Sequence, residues 1–216
     1  MRTLIATIFL VTLTGVLSAQ QDAKAKEILD QTSQRTRSYK TISADFSFAL
    51  QNKQMNTNDE NKGSIKIKSG KYVVDIPGPG LKIFSDGKTN WNYMKTGNQV
   101  TISPIDESSS ELMDPSSVFT IYEKGFKSKY MGEKSVDGKQ VYQIELYPDK
   151  KDFEVSKITL DINKSTYMIQ TAVLNGTEGN IYTIKVAKFE SNKEIPDTEF
   201  VFDAKKFPGV EVIDLR

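Results

Sequence analysis

Residues 142–146 read Tyr-Gln-Ile-Glu-Leu, and residues 158–162 read Ile-Thr-Leu-Asp-Ile. Each stretch alternates apolar with polar side chains. Because successive side chains of a β-strand point to opposite faces of a sheet, this alternation predicts strands with one buried face and one wet face. The same pattern recurs at residues 65–68, 72–76, 100–102 and 182–186. The chain is therefore expected to be mainly β, with antiparallel strands.

Turn dipeptides separate these stretches. Asp86-Gly87, Gly97-Asn98 and Asp137-Gly138 each fall between two alternating runs, and this composition is typical of tight β-hairpin turns. About eleven runs lie between Thr41 and Phe202, at the spacing of one large sheet. No repeat or linker interrupts residues 20–216. We expect a single domain, built as one curved antiparallel sheet.

The first nineteen residues have the pattern of a signal peptide. Arg2 precedes an apolar stretch from Leu4 to Leu17, and Ser18-Ala19 supplies the small residues of a cleavage site. A membrane anchor is the alternative, but this stretch is short for a bilayer and contains three threonines and a glycine. We expect cleavage after Ala19, so that residues 20–216 are secreted across the inner membrane into the periplasm.

Three helices are predicted in the remaining chain. Residues 22–39 place apolar side chains at helical spacing among charged ones. Residues 107–113 and 115–124 interrupt the strand pattern, and Pro115 and Gly125 suit the two ends of the second of these helices. We expect the N-terminal helix and the two central helices to cover the apolar concave face of the sheet.

The composition excludes several kinds of chemistry. The chain has no cysteine and no histidine, which rules out Ser-His-Asp and Cys-His nucleophile systems, the usual zinc sites and disulfides. Its 29 basic and 28 acidic residues leave a charge of +1, too little to attract nucleic acid. Asp149, Asp152 and Glu154 stand among lysines, which indicates a solvated loop more than a catalytic or calcium site. We predict a binding protein that is not an enzyme and uses no metal or cofactor.

Two sets of apolar side chains are candidates for the covered, inward face of the sheet and for the helix surfaces that face it. The strand candidates are Phe46, Phe48, Ile65, Ile67, Tyr72, Val74, Ile76, Trp91 and Tyr93. The helix candidates are Leu112, Met113, Val118, Phe119 and Tyr122. An ordinary packed core is the alternative for both sets, since a one-residue change of register exchanges the two faces of a strand.

A family resemblance is carried by residues 82–93, whose sequence is KIFSDGKTNWNY. This stretch resembles the "SDGKxxWxY" strand-turn-strand motif of LolA, the periplasmic lipoprotein carrier family. Residues 42–47 are similar to the family's first strand, and residues 63–68 are similar to its "GxLxxKRP" strand. Residues 200–214 are similar to its "FxF…PxGVxVxD" ending. These landmarks occur in the family's order and cover nearly the whole mature chain.

The resemblance implies an unclosed antiparallel barrel of about eleven strands, with the central helices as a lid over an apolar cavity. It also implies that the strand and helix candidates named above line this cavity and bind lipid. It also implies a monomeric carrier that takes acylated lipoproteins from an inner-membrane ABC-type lipoprotein-releasing complex to an outer-membrane acceptor. Ser69 and Gly70 stand where the family has Arg-Pro, and that arginine latches the lid. We therefore expect a lid that is held less firmly, with Lys68 and Lys71 as the nearest substitutes for the arginine.

Two other functions stay open at this point. The first is a periplasmic carrier of another lipidic cargo, which the replaced arginine makes more credible. The second is a regulator on the same fold that senses a lipid or a lipoprotein. A single domain counts against the regulator, because sensors that resemble this family carry a second domain.

Overall fold

The computed structural model describes residues 4–52, 54–105, 125–150 and 154–216, with side chains from Gln20 onward. In this part of the chain, one long helix, α1 (Leu4–Arg37), precedes a single sheet of twelve strands. The strands are β1 (Thr41–Asn52), β2 (Thr57–Lys68), β3 (Lys71–Ile76), β4 (Leu81–Ser85), β5 (Thr89–Met94), β6 (Gln99–Pro104), β7 (Phe126–Val136), β8 (Lys139–Pro148), β9 (Val155–Asn163), β10 (Ile169–Gly176), β11 (Asn180–Ser191) and β12 (Glu211–Asp214). Two short 3₁₀ helices, Asp197–Phe200 and Ala204–Lys206, lie between β11 and β12.

Helix α1 confirms the helix predicted for residues 22–39 but has different ends. It begins at Leu4 and ends at Arg37. The helix is continuous through Ala19, and cleavage after that residue stays a prediction. Within the described ranges, no helix has the length and hydropathy that crossing a bilayer requires.

The strand order is β12-β6-β5-β4-β3-β2-β1-β11-β10-β9-β8-β7. Two series of hairpins, β1 to β6 and β7 to β11, are joined where β1 pairs with β11. The sheet is open, because β12 and β7 form its two ends. The predicted single open sheet is thus confirmed, and the eleven strands expected before Phe202 are β1 to β11, which end at Ser191.

Strand β12 is a twelfth strand that the alternation did not predict. It pairs with β6 in parallel, with Val212 beside Val100. The sequence analysis predicted a purely antiparallel sheet, and that prediction is wrong for this one pair among the described strands. Residues 192–210 lead from β11, which lies beside β1, to the far edge of the sheet and so bring β12 next to β6.

The predicted hairpin turns are confirmed. Asp137 and Gly138 alone join β7 to β8, with φ values of 50° and 75°, as a type I′ turn requires. Between β4 and β5, Asp86 Oδ1 accepts a hydrogen bond from the Thr89 amide at 2.8 Å. Between β5 and β6, Asn98 also has a positive φ of 44°. These local turns position neighbouring strands in register.

Two faces of the sheet can be distinguished by what packs on them. The inner face is the one against which α1 packs, and the outer face is crossed by the C-terminal segment, residues 192–210. From α1, Ala25, Ile28 and Leu29 are buried in the inner-face core over β8 to β10. The buried strand residues of this core are Ile144, Leu146, Val155, Ile158, Leu160, Ile162, Ile169, Ala172 and Leu174. Burial of each large aliphatic side chain contributes about 1.5 to 3 kcal/mol, which holds the helix on this half of the sheet.

Candidate lipid-binding site

A second apolar cluster continues the inner face over β1 to β4. Its buried members are Ile42, Ala44, Ile65, Tyr72, Val74 and Met168. The half-buried side chains packed against it are Tyr39, Phe46, Ile67, Ile76, Ile83, Val186 and Phe189. Strand pairing places them on one face, because Ala44 lies opposite Ile65, which lies opposite Val74. We call this surface the inner apolar patch.

Seven of the nine strand candidates lie on this inner face. Those that are buried are Ile65, Tyr72 and Val74. Those that are half-buried are Phe46, Phe48, Ile67 and Ile76. The half-buried side chains leave apolar surface in contact with water, and an apolar ligand would be stabilised by covering it.

Strand β11 adds side chains that the sequence analysis did not assign to the site. These half-buried residues are Tyr182, Ile184 and Val186. Ile184 lies opposite Phe48, and the rings of Phe48 and Tyr182 stack with centroids 6.0 Å apart. The alternation of residues 182–186 was visible in the sequence. Only the pairing with β1 shows that Ile184 shares the face of Phe48.

Gly63 determines where the Phe46 ring lies. The two residues are directly opposite in the β1–β2 pair. A Cβ at position 63 would stand 2.7 Å from Phe46 Cζ and 2.8 Å from the Asp75 carbonyl oxygen. Since neither distance accommodates a side chain, the glycine lets the aromatic ring lie close against the backbone of β2.

Tyr72 forms a polar boundary of the inner apolar patch. Its side chain is buried, and its hydroxyl donates to Asn90 Oδ1 at 3.2 Å. Asn90 lies opposite Ser85, which is fully buried. This hydrogen bond provides the buried Tyr72 hydroxyl with a partner. The inner apolar patch therefore ends at β5, where the polar side chain of Asn90 lies.

The two remaining strand candidates, Trp91 and Tyr93, share a face with each other, but it is the outer one. Trp91 lies opposite Phe84, and Phe84 lies opposite Val73. Tyr93 contacts Phe207 of the C-terminal segment with ring centroids 4.4 Å apart. This environment fits the alternative interpretation, an ordinary aromatic core.

The outer-face core joins the C-terminal segment to β3, β4 and β5. Its buried members are Val73, Phe84, Ile195 and Phe200, and its half-buried members are Trp91, Phe202 and Phe207. Phe200 is fully buried. The aromatic motif that resembled the family's ending is therefore part of a structural core, separated from the inner apolar patch by the thickness of the sheet.

Charged side chains fasten the same segment to the β2–β3 hairpin. Lys68 Nζ and Lys71 Nζ each lie 2.8 Å from a carboxylate oxygen of Asp197. Hydrogen bonds from these two ammonium groups lower the pKa of Asp197 to about 2. Ser69 and Gly70 form the hairpin turn between them, both with positive φ. Both lysines are thus bound to the C-terminal segment, and the proposed substitution of either for a lid-latching arginine finds no support in these contacts.

Several predicted features lie outside the described residues. They are the two central helices, the helix candidates Leu112, Met113, Val118, Phe119 and Tyr122, and Asp152 of the acidic loop. The other two acidic residues of that loop, Asp149 and Glu154, are exposed. Among the residues that the structure describes, no group of three potential metal-ligating side chains occurs.

Comparison with known sequences identifies the family. The profile described as "Outer membrane lipoprotein carrier protein LolA" matches residues 37–203, which include β1 to β11 and the buried Phe200. The chain belongs to the LolA family. An outer-membrane lipoprotein carrier protein of Coxiella burnetii is 25% identical over 209 residues, covering 95% of this chain and 93% of that protein.

A second relative differs from this chain in length. An uncharacterized protein of Methanocaldococcus jannaschii is 24% identical over 208 residues, covering 92% of this chain. The chain spans 57% of that relative's length, so the relative contains a large additional part. It therefore adds no functional information to the family match.

Solved structures share the fold at low sequence identity. A conserved protein from Thermus thermophilus superimposes with a TM-score of 0.58 at 16% identity, covering 88% of this chain and 99% of that one. LprF from Mycobacterium bovis has a TM-score of 0.51 at 13% identity and covers 81% of this chain and 96% of its own. MucB has a TM-score of 0.50 at 12% identity, covering 84% of this chain and 64% of its own. These similarities show that the chain shares its fold with these proteins.

Proposed function

We propose that this LolA-family chain is a periplasmic carrier that binds the acyl chains of lipoproteins on its inner apolar patch. It performs no covalent chemistry and delivers lipoproteins from the inner to the outer membrane. The observation that most supports the proposal is the set of half-buried apolar side chains on the inner face of a fold whose family is described as a lipoprotein carrier. Contiguous apolar surface of this kind marks a binding site when it is incompletely covered.

The energetics of the cargo explain why such a patch is needed. Burial of an acyl chain stabilises it by about 0.8 kcal/mol per CH₂, so a chain of about sixteen carbons costs on the order of 10 kcal/mol to hold in water. Free diffusion between two membranes is negligible against that cost. A protein surface that removes most of the acyl chain from water lowers this free-energy cost.

Release of the cargo limits how tightly the carrier can bind the acyl chain. The carrier must give up its cargo at the outer membrane, so its affinity for the acyl chain has to be close to that of a bilayer. A partly exposed patch on an open sheet suits this, because it covers less of the chain than a closed cavity does. Side chains such as Phe46, Phe48 and Ile76 provide adaptable apolar contact without fixing one chain position.

The partners follow from this role. An inner-membrane ABC-type lipoprotein-releasing complex supplies the cargo, and an outer-membrane acceptor receives it. The carrier itself acts as a monomer without a cofactor, and it reaches the periplasm after removal of residues 1–19.

Recovery of the natural cargo tests the proposal. The full chain is expressed in a Gram-negative host with its own signal sequence, purified from the periplasmic fraction, and analysed by N-terminal sequencing and by mass spectrometry of copurifying molecules. We expect a mature chain beginning at Gln20 with bound acylated lipoprotein. An intact Met1 in the cytoplasmic fraction contradicts the assigned compartment. A copurifying glycolipid or pigment in place of lipoprotein contradicts the assigned cargo.

Depletion of the chain in its natural host separates a carrier from a regulator. Loss of a carrier leaves outer-membrane lipoproteins in the inner membrane, which fractionation and immunoblotting detect. If their distribution is unchanged while other envelope proteins change in amount, the carrier proposal is wrong.

A further inference from the structure

Helix α1 packs closely against the end strand β7, and a groove opens beside their contact. It has a volume of about 890 Å³ and lies between one stripe of α1, from Asp22 to Arg37, and the first residues of β7. At 1.5 Å per residue this stripe is about 22 Å long, which matches about seven residues of extended peptide. The groove residues lie outside the inner apolar patch, and all follow the predicted cleavage site.

Strand β7 offers main-chain groups to this groove. It is the last strand of the sheet, and within the described ranges it is paired on its β8 side alone. In an antiparallel strand, alternate N–H and C=O groups point away from the existing partner. Such an edge can accept an additional strand through main-chain hydrogen bonds.

The charge of the groove favours an acidic ligand. Lys26 and Asp30 neutralise each other, with Nζ and Oδ2 2.6 Å apart. On the α1 side of the lining, Asp22 and Arg37 carry opposite charges, whereas on the β7 side Lys127 and Lys129 are both positive. Lys127 and Lys129 are exposed. Glu145 lies opposite Lys129 in the β7–β8 pair, but its carboxylate is bound to Lys157 at 2.8 Å, and no ion pair within 4.0 Å joins Lys127 or Lys129 to another described residue.

The spacing of these two lysines predicts the sequence pattern of a strand that would bind beside β7. Lys127 and Lys129 are two residues apart in β7 and so point to the same side of the sheet. Phe126 points to the other side, where Leu29 of α1 also lines the groove. A strand added beside β7 would place alternate residues next to the lysines and the intervening residues next to apolar side chains.

We propose that the α1–β7 groove docks an extended segment of a partner protein in which acidic and apolar residues alternate. The segment binds as a thirteenth strand beside β7, with its carboxylates at Lys127 and Lys129. This inference goes beyond the carrier function and does not depend on it, because the docking residues are distinct from those assigned to acyl chains.

Fluorescence anisotropy with the full mature chain tests the proposal. The probe is a fluorescein-labelled heptapeptide of alternating Asp and Val residues. We expect saturable binding that weakens at least tenfold in the double variant Lys127→Glu/Lys129→Glu. The matched control, Lys88→Glu/Lys185→Glu, reverses two exposed lysines elsewhere and should bind like the wild type. Circular dichroism confirms that each variant is folded.

Three further measurements make the result decisive. A heptapeptide of alternating Lys and Val should bind Lys127→Glu/Lys129→Glu at least tenfold more tightly than it binds the wild type. N-methylation of alternate amides in the Asp-Val peptide should abolish binding, because it removes the main-chain donors. A block peptide of the same composition, with its aspartates consecutive, should bind at least tenfold more weakly.

Other outcomes overturn the inference. Equal loss of affinity in both double variants shows general charge attraction and no docking groove. Binding to phosphatidylglycerol vesicles through Lys127 and Lys129, without binding of the Asp-Val peptide, assigns the lysines to a membrane surface. A fluorescent fatty acid titrated in parallel reports the proposed carrier function separately, and we expect its affinity to be unchanged in Lys127→Glu/Lys129→Glu.

Discussion

Val73 and Val74 are adjacent in β3 and belong to hydrophobic clusters on opposite faces of the sheet. Val74 is 1% exposed in the inner apolar patch, and Val73 is 7% exposed beneath the C-terminal segment. Strand β3 therefore contributes side chains both to the proposed lipid-binding surface and to the structural core on the outer face. As a result, substitutions on the outer face should change stability, whereas polar substitutions at half-buried inner positions should change lipid binding.

Phe48→Asp should weaken acyl-chain binding at least tenfold, or about 1.4 kcal/mol, because it places a carboxylate on the apolar surface that contacts the chain. Titration with a fluorescent fatty acid measures the change. Ser47→Asp is the control: it is the preceding residue, on the outer face, and its neighbours across the strands are Lys62 and Lys185. Equal affinity in the two variants would contradict the assignment of Phe48 to the binding surface.

Phe200→Ala should lower the free energy of unfolding by about 3 to 5 kcal/mol, because it deletes a fully buried ring from the outer-face core. Urea denaturation measures the loss. Val201→Ala is the control, since Val201 is 42% exposed and its truncation should cost less than about 0.5 kcal/mol. At urea concentrations where Phe200→Ala stays folded, its fatty-acid affinity should be within about twofold of the wild type. A selective loss of affinity there would show that the two faces are coupled.

Gly63→Ala should lower the free energy of unfolding by about 1 to 3 kcal/mol, because the new methyl group overlaps the Phe46 ring and the Asp75 carbonyl oxygen. It should also displace the Phe46 ring, which is detectable as a changed aromatic NMR shift. Gly97→Ala provides the comparison, because a Cβ there meets its nearest neighbour at an ordinary 3.8 Å. If the two variants are equally stable, the close packing of Phe46 on β2 is wrong.

Asp197→Asn should make stability less dependent on pH in acid. The folded-state pKa of Asp197 is about 2, below the value of about 3.9 for an unfolded chain, because Lys68 and Lys71 donate hydrogen bonds to the carboxylate. Its stabilising effect is therefore fully present above about pH 4 and is lost as the pH falls toward 2. Asp197→Asn should unfold more readily than the wild type at pH 7, and this difference should shrink between pH 4 and pH 2.

Denaturation midpoints measured across that pH range test the assignment. Glu194→Gln removes a charge from the same segment but breaks no ion pair among the described residues, so it should leave the acid dependence close to that of the wild type. High salt should reduce the effect of Asp197→Asn at pH 7, because Asp197 is exposed and its ion pairs are screened. A constant difference between Asp197→Asn and the wild type from pH 7 to pH 2 would contradict the pKa assignment.

The strands and turns followed from local sequence. Apolar and polar residues alternate in residues 142–146 and 158–162, because successive side chains of a strand point to opposite faces of the sheet. This period is visible in the sequence without knowing which strands are neighbours. Asp137-Gly138 joins two strands with both residues at positive φ, a conformation that these residue types favour. The sequence by itself thus determined the mainly β architecture, the hairpins and the single open sheet.

Tertiary structure alone decided which residues share the candidate site. Alternation predicted that Tyr72, Val74 and Ile76 share one face of β3, but Val73 between them is also apolar, so alternation did not determine which face of the strand is the inner one. Pairing across β4 places Trp91 on the side of Val73, and pairing of β1 with β11 brings Ile184 to Phe48, 136 positions away along the chain. Such choices depend on contacts between distant segments, and a shift of one residue in register reverses them. The sequence contains the apolar side chains of the site, but the long-range pairing of strands determines which of them form one surface.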